Sequence, residues 1–120
     1  MSSVVFFCDE CIPDDLVACA LNLEPGLPIY CVGQPGFPQK GTKDPQLLLF
    51  AESMGYALVT RDKHTMPGHI GDHLTAGHHT WGIFLIRPDR ARTEIGDSLI
   101  LIWSASTAEE WQDRLVWIPF

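Results

Sequence analysis

The sequence has few basic residues and no long hydrophobic segment. Only 8 of its 120 residues are Lys or Arg, against 15 Asp or Glu, so the formal net charge is −7. This balance argues against a protein that grips nucleic-acid backbone over a broad surface, because such proteins present a basic face. No apolar run approaches the ~20 residues of a transmembrane helix, and the first residues lack the basic segment of a signal peptide. We therefore expect a cytoplasmic protein with no membrane segment.

The composition is that of a folded chain. Hydrophobic residues make up 46% of the sequence and charged residues 19%, which excludes an intrinsically disordered protein. The length fits a single domain over 1–120 with a substantial core. The cysteines are Cys8, Cys11, Cys19 and Cys31, and in a cytoplasmic protein we expect buried thiols rather than disulfides.

Short apolar runs alternate with amphipathic segments along the chain. The runs predict strands, and the segments between them have the spacing of helices. The predicted strands are 4–8, 28–32, 57–60, 82–86 and 115–118, and the predicted helices are 12–21, 45–54, 66–76 and 93–106. This alternation favours right-handed crossovers and a mainly parallel sheet of about five strands. The predicted fold is a three-layer α/β/α domain.

Acidic residues stand where the first three predicted strands end. Asp9 and Glu10 follow the first strand, Asp44 opens the helix after the second, and Asp62 follows the third. The carboxyl ends of parallel strands share one edge of the sheet, where ligands of open α/β folds bind. Clustered carboxylates repel one another unless a cation lies among them. We therefore expect a site for Mg²⁺ or Mn²⁺, the hard cations that prefer oxygen ligands.

Each acidic residue also has a purely structural explanation. Asp44 could cap its helix, with Pro45 in the first turn. Asp9 and Glu10 could be loop charges, and Asp62 could be a turn residue. Any one of these structural explanations could hold. Because the acidic residues share one edge of the sheet, the combination of all of them is less favoured.

The basic residues are concentrated in three loops. Seven of the eight lie there, namely Lys40, Lys43, Arg61, Lys63, Arg87, Arg90 and Arg92, and only Arg114 lies elsewhere. If those loops share one edge, a basic rim surrounds the acidic centre. We expect Arg61, Lys63 and Arg87 to contact phosphate there.

Three short motifs resemble those of a known family. FCDE at 7–10, KDPQLL at 43–48 and LVTRDK at 58–63 are similar to the acidic motifs of PIN-domain nucleases. They are most similar to the short PIN-like proteins often encoded as toxins of toxin–antitoxin pairs. The resemblance covers most of the chain up to about residue 87, and its most specific segment surrounds Asp62.

The resemblance implies a metal-dependent ribonuclease that hydrolyses RNA phosphodiester bonds and is restrained by an antitoxin protein. It implies Asp9, Asp44 and Asp62 as the catalytic, metal-binding centre, with Glu10 as a further ligand. Thr60 would support the site by hydrogen bonding. Such proteins commonly carry another acid where this chain has His64, which could instead position phosphate or water or be an exposed loop residue. The alternative function is a catalytically inactive PIN-like module for protein interaction.

The same region of the chain also offers residues for other chemistries. His69 and His73, four residues apart, could join Cys8 and Cys11 in a zinc site. The long gap between the cysteine pair and the histidine pair, however, is not that of a zinc finger. The Cys8–Cys11 pair has the spacing of a thiol redox motif, but the acids between the two cysteines disfavour a thiolate. In a phosphoacceptor domain Asp62 would be the acceptor, but the lysine expected after a late strand is absent.

The tryptophans leave the oligomeric state open. Trp103, Trp111 and Trp117 supply a large apolar area. That area could belong to the core or to the contact face of a homodimer.

Overall fold

A computed structural model of the chain describes residues 2–120. The elements, in chain order, are β1 (Phe6–Cys8), α1 (Asp14–Leu23), β2 (Ile29–Cys31), α2 (Asp44–Met54), β3 (Ala57–Thr60), α3 (Met66–Thr75), β4 (Ile83–Ile86), α4 (Arg92–Ala105), a short 3-10 helix (Ala108–Trp111) and β5 (Leu115–Ile118). Within residues 2–120, no helix has the length and apolar character needed to cross a membrane.

The predicted elements are confirmed. β3 and β5 have the predicted bounds, and the other strands and the helices differ from prediction by a few residues at their ends. The short 3-10 helix before β5 was not predicted, because four residues carry too little periodicity to indicate it. The peptide bond between Ile118, the last residue of β5, and Pro119 is cis.

The five strands form one parallel sheet in the order β2-β1-β3-β4-β5. β1 is paired with β2 on one side and with β3 on the other. The chain therefore moves in opposite directions from these two central strands, since β1 leads outward to β2 and β3 leads outward to β4. The point between β1 and β3 is the topological switch point, where a crevice opens at the carboxyl ends of the strands.

Helices cover both faces of the sheet, which confirms the three-layer architecture. Because side chains alternate along a strand, Phe6 and Cys8 point to one face and Phe7 to the other. On the first face α1 and α4 pack over Phe6, Phe84 and their neighbours. On the second face α2 and α3 pack over a cluster centred on Phe7 and Leu58. Trp103 and Trp111 are half-buried against the first of these clusters.

One crossover departs from the prediction of uniform handedness. The β1-α1-β2 and β4-α4-β5 connections move toward opposite edges of the sheet, yet α1 and α4 lie on the same face. The two crossovers therefore have opposite hands. The β2-α2-β3 and β3-α3-β4 connections move in the same direction as β4-α4-β5, but α2 and α3 lie on the opposite face of the sheet. These two connections therefore have the same hand as β1-α1-β2. The physical reason is the burial of apolar surface. Because α1 covers the first face of the sheet only at β1 and β2, the first face at β4 and β5 is left for α4 to cover.

Candidate functional site

The acidic residues predicted from the sequence line one cleft at the switch point. Asp9 follows β1 and Asp62 follows β3, and the backbone N–H of Asp9 still donates to the Val59 carbonyl at 3.2 Å. The cleft has a volume of about 150 Å³, and its lining consists of Asp9, Glu10, Cys11, Thr42, Asp44, Leu47 and Asp62. Asp44 reaches it from the first turn of α2, which begins at the same edge.

Asp9 is the buried member of the cleft, with 6% of its surface exposed. Its Oδ1 accepts hydrogen bonds from the backbone N–H of Cys11 at 3.2 Å and from the Cys11 thiol at 2.8 Å. Burial raises the pKa of Asp9, Asp44 adds to the rise by repulsion, and the contacts with Cys11 and Thr60 oppose it. Asp9 forms no ion pair with any residue in 2–120. The cleft thus contains a carboxylate whose charge is not balanced.

Asp44 does not cap α2. The N-cap residue is Lys43, and it makes no side-chain capping bond; Asp44 is the first helical residue. The explanation of Asp44 as the helix cap is therefore wrong, although a negative charge in the first turn still complements the helix dipole. Its Oδ2 lies 3.8 Å from Nε2 of His69, which reaches it from α3.

Asp62 is held by the turn that leads into α3. Its Oδ1 accepts the backbone N–H groups of His64 at 3.0 Å and Thr65 at 2.9 Å, and its Oδ2 accepts the Thr65 hydroxyl. The hydrogen bonds from the Thr65 hydroxyl and backbone lower the pKa of Asp62. Asp62 is therefore a turn residue in its contacts as well as a residue of the cleft. Repulsion within the cleft does not dominate its environment.

Thr60 and Glu10 support the cleft from two sides. Thr60 is fully buried, and its hydroxyl accepts the backbone N–H of Asp62 at 3.1 Å. It also lies 3.6 Å from the Cys11 thiol. Glu10 accepts a hydrogen bond from the backbone N–H of Gly41, which fastens the loop before α2 to this edge.

The three aspartates do not form a tight triad. Among the residues that the structure describes, the only three His, Cys, Asp or Glu side chains whose ligand atoms all lie within 4.8 Å of one another are elsewhere in the molecule. Asp9, Asp44 and Asp62 line the same cleft, but they do not form such a group of close ligand atoms.

A second cleft, rich in arginine, opens on the same edge of the sheet. Its volume is about 230 Å³, and its lining includes Arg61, Arg87, Arg90 and Arg92. The loops after β3 and β4 and the start of α4 supply these side chains. Arg61 is adjacent in the chain to Asp62, and its backbone N–H donates to the Cys11 sulfur at 3.2 Å, so the two clefts are joined at this point.

Internal partners already hold most of these arginines. Arg92 pairs with Asp15 at 3.0 Å and Arg90 with Glu94 at 3.6 Å. Arg87 donates from Nε to the Pro119 carbonyl at 2.8 Å and lies over the Trp117 ring. By contrast, Arg61 has no ion pair within residues 2–120 and is exposed. It is therefore the arginine with most freedom to bind an anion.

The predicted basic residues are divided between the two clefts and the solvent. Arg61 and Arg87 line the arginine cleft, whereas Lys63 and His64 are exposed and line neither cleft. The sequence prediction for phosphate contacts omitted Arg90 and Arg92. Their position, just after β4 and at the start of α4, is the signal that could have included them.

The cysteine alternatives are not supported by the geometry. Cys8 lies opposite Cys31 in the β1–β2 register, and the hydrogen bond with Cys31 and burial raise the pKa of Cys8. Cys11 instead contacts Asp9. All four cysteines are free thiols, and Cys8 and Cys11 do not come together with His69 and His73 as zinc ligands within the described chain.

Comparison of the chain with protein-family models, with curated proteins and with solved structures finds no significant match.

Proposed function

We propose that the protein is a Mg²⁺- or Mn²⁺-dependent ribonuclease that hydrolyses RNA phosphodiester bonds in the acidic cleft. The observation that carries the proposal is the meeting of Asp9, Asp44 and Asp62 around one cleft at the switch point, beside an arginine-lined cleft on the same edge. Carboxylates and arginines in neighbouring clefts suit a substrate that carries phosphate. The resemblance of the three sequence motifs to PIN-like toxins adds an antitoxin protein as the proposed partner.

The side chains present in the cleft fit a hard divalent cation. Asp9 is a buried carboxylate without an ion-pair partner, a state that is costly unless a positive charge lies nearby. Asp9, Asp44 and Asp62 offer oxygen ligands, and the open spacing suits Mg²⁺, which keeps several waters and needs only one or two carboxylates. Asp62 retains lone pairs beyond those used by Thr65 and His64.

The roles of the side chains follow from these environments. The bound cation would supply activation of water and neutralisation of charge at the phosphodiester. Asp9 and Asp44 would hold the cation, and Asp62 would complete the acidic set while keeping the turn before α3 in place. Arg61 would pair with a backbone phosphate, because within residues 2–120 it is the cleft arginine with neither an ion pair nor a side-chain hydrogen bond.

The second candidate function is an inactive PIN-like module that binds another protein. It is favoured by the contacts of Asp62, whose two carboxylate oxygens are both engaged by the following turn. It is also favoured by His64, which is exposed and stands where the resembling proteins commonly carry an acid.

The test is cleavage of single-stranded RNA with and without Mn²⁺. Asp9→Asn should abolish cleavage and also reduce the rise in melting temperature on adding Mn²⁺, since binding to the native state produces that rise. The matched control is Asp97→Asn, an exposed aspartate of α4 outside both clefts, which should behave like the wild type. Wild-type protein that shows a Mn²⁺-dependent rise but no cleavage would support the inactive module. Absence of both effects would exclude the metal site.

A further inference from the structure

A second group of potential metal ligands lies at the opposite edge of the sheet from the acidic cleft. Glu52 is near the end of α2, His73 is near the end of α3, and His78 follows α3 before β4 begins. Both helices start at the carboxyl edge of the parallel sheet and return to its amino edge. The group is therefore separate from Asp9, Asp44 and Asp62, and it is the one set of three within residues 2–120 whose ligand atoms all lie within 4.8 Å of one another.

Two of the three distances within this group match those of a tetrahedral metal site. Oε1 of Glu52 lies 3.3 Å from Nε2 of His73 and 3.1 Å from Nδ1 of His78. The two imidazole rings are stacked with their centroids 4.8 Å apart. A zinc ion with bonds of about 2.0–2.1 Å separates its ligands by about 3.3 Å in a tetrahedron. The Glu–His distances are therefore close to those that such an ion imposes.

Surrounding contacts hold the ligands in place. The second carboxylate oxygen of Glu52 accepts the backbone N–H of His79 at 2.9 Å. Nδ1 of His79 contacts Asp113 at 2.7 Å, and Asp113 also accepts the backbone N–H of Thr80 at 2.7 Å. The loop that carries His78 is thereby fixed against α2. Contacts of this kind orient the ligands in metal sites.

His73 contributes the buried ligand and His78 the accessible one. The side chain of His73 is 4% exposed, whereas that of His78 is 44% exposed. Nε2 of His73 also lies 2.9 Å from the His79 carbonyl, so its proton would have to leave before this nitrogen could bind a metal. A groove of about 210 Å³ between α2 and α3 reaches His73 and His78. It gives an ion access and leaves room for water as a fourth ligand.

From these contacts we infer that Glu52, His73 and His78 form a binding site for a divalent ion of the zinc class, with the fourth position open to water. Two imidazoles and one carboxylate suit Zn²⁺ or Co²⁺, whereas Mg²⁺ prefers oxygen ligands alone. Two histidines, one glutamate and a water also form a common set in open zinc sites. The inference does not depend on the proposed ribonuclease activity, because no residue is shared with the acidic cleft.

The experiment is titration of the full-length chain, freed of metal by a chelator, with Zn²⁺ by calorimetry and with Co²⁺ by visible absorption. Wild-type protein should bind Zn²⁺ in the micromolar range or tighter, and Co²⁺ should give the intense absorption bands of a tetrahedral complex. His78→Ala and Glu52→Gln should each weaken Zn²⁺ binding at least tenfold. Both variants should fold, because 44% of the His78 side chain is exposed and Gln retains an oxygen for the His79 N–H.

Two control variants make the result specific. His64→Ala removes an exposed imidazole that follows β3 at the other edge of the sheet, and Asp9→Asn disables the acidic cleft. Both should bind Zn²⁺ as the wild type does. The inference is overturned if the wild type does not bind Zn²⁺, if His78→Ala and Glu52→Gln bind it unchanged, or if either control loses it equally. Loss in Asp9→Asn would assign the ion to the acidic cleft.

Discussion

Asp9 and Asp62 follow neighbouring strands but occupy opposite electrostatic environments. Asp9 is buried, and burial raises its pKa despite the hydrogen bonds that it accepts. Asp62 is at the surface, and the Thr65 hydroxyl and backbone lower its pKa. Folding therefore disfavours the charged form of Asp9 and favours the charged form of Asp62, and the same substitution should have opposite effects at the two positions.

Asp9→Asn should stabilise the metal-free protein at neutral pH. The amide keeps an oxygen for the Cys11 N–H and removes a charge that burial penalises. The pKa of Asp9 is higher in the folded state than in the unfolded state, so the protonated form of Asp9 contributes to stability. This contribution is fully present below the unfolded-state pKa and is lost as the pH rises through the folded-state pKa. The variant should melt a few degrees higher than the wild type at about pH 7. In a protein of this size, about 1 kcal/mol of stability corresponds to about 4 °C in melting temperature. The difference between the two melting temperatures should disappear toward about pH 4.

The measurement is thermal unfolding in chelator at both pH values, with Asp97→Asn as the control. A melting temperature of Asp9→Asn below that of the wild type at neutral pH would show that the hydrogen bonds of the carboxylate outweigh its desolvation.

Asp62→Asn should destabilise the protein. Repulsion among clustered carboxylates would predict the reverse, but the amide loses the charged acceptor for the Thr65 hydroxyl. The expected cost is about 0.5–1 kcal/mol, the lower part of the range for losing a side-chain cap, since the site is exposed. Because the folded pKa of Asp62 is lowered, its contribution is present above its unfolded pKa and is lost as pH falls through the folded pKa. Urea unfolding at neutral and acid pH tests this, and an increase in stability at neutral pH would restore the repulsion argument.

The sequence predicted where the acidic residues lie but not what they contact. Their meeting at one edge follows from strand order and helix starts, which hydrophobic patterning reveals. The engagement of Asp62 by Thr65 and the pairing of Asp44 with His69 depend on side-chain orientation. Sequence spacing does not determine such orientations.

At the scale of elements, the short 3-10 helix packs directly onto the start of β4. Gly82 has a φ of +110°, and a Cβ there would lie 2.9 Å from Cβ of Trp111 and 3.3 Å from its carbonyl oxygen. The Trp111 ring also meets Phe84 edge to face, at 5.1 Å between centroids. Glycine at this position lets the 3-10 helix approach the sheet.

Gly82→Ala should therefore cost about 2–4 kcal/mol, since an unfavourable backbone conformation adds to overpacking. The control is Gly77→Ala, where φ is +91° but no atom lies within 4 Å of the added Cβ, so that about 1 kcal/mol should be lost. Urea denaturation measures both. Equal losses in the two variants would mean that the contact with Trp111 contributes nothing.

The elements themselves were predictable because their apolar runs and helical periodicities are strong. The side of the sheet on which α4 lies was not, because general handedness rules place it with α2 and α3, whereas it packs with α1. That choice depends on which apolar face remains uncovered after the other helices have packed. The grouping of Glu52, His73 and His78 was missed for the same reason, since it requires the ends of two helices and a loop to meet.

At the scale of the whole molecule, charge is distributed unevenly rather than balanced. The net charge is −7, yet four of the eight basic residues line one cleft at the carboxyl edge of the sheet. An acidic surface elsewhere should repel nucleic acid, so the proposed RNA substrate should approach through this edge. Binding should then be weak and should fall steeply with ionic strength.

Substitution of single arginines tests whether the arginine cleft is the place where RNA binds. Arg61→Gln should weaken the binding of an uncleavable single-stranded RNA analogue and reduce the slope of log K against log salt concentration by about 0.7, the value for one phosphate contact on a single strand. Arg114→Gln is the control, because Arg114 directly precedes β5 at the opposite edge and lies over Trp111. It should leave the slope unchanged even if it lowers stability. The measurement is fluorescence anisotropy across a series of salt concentrations. Equal changes of slope in both variants would show that RNA binds by general attraction to positive charge, and the arginine cleft would then have no special role.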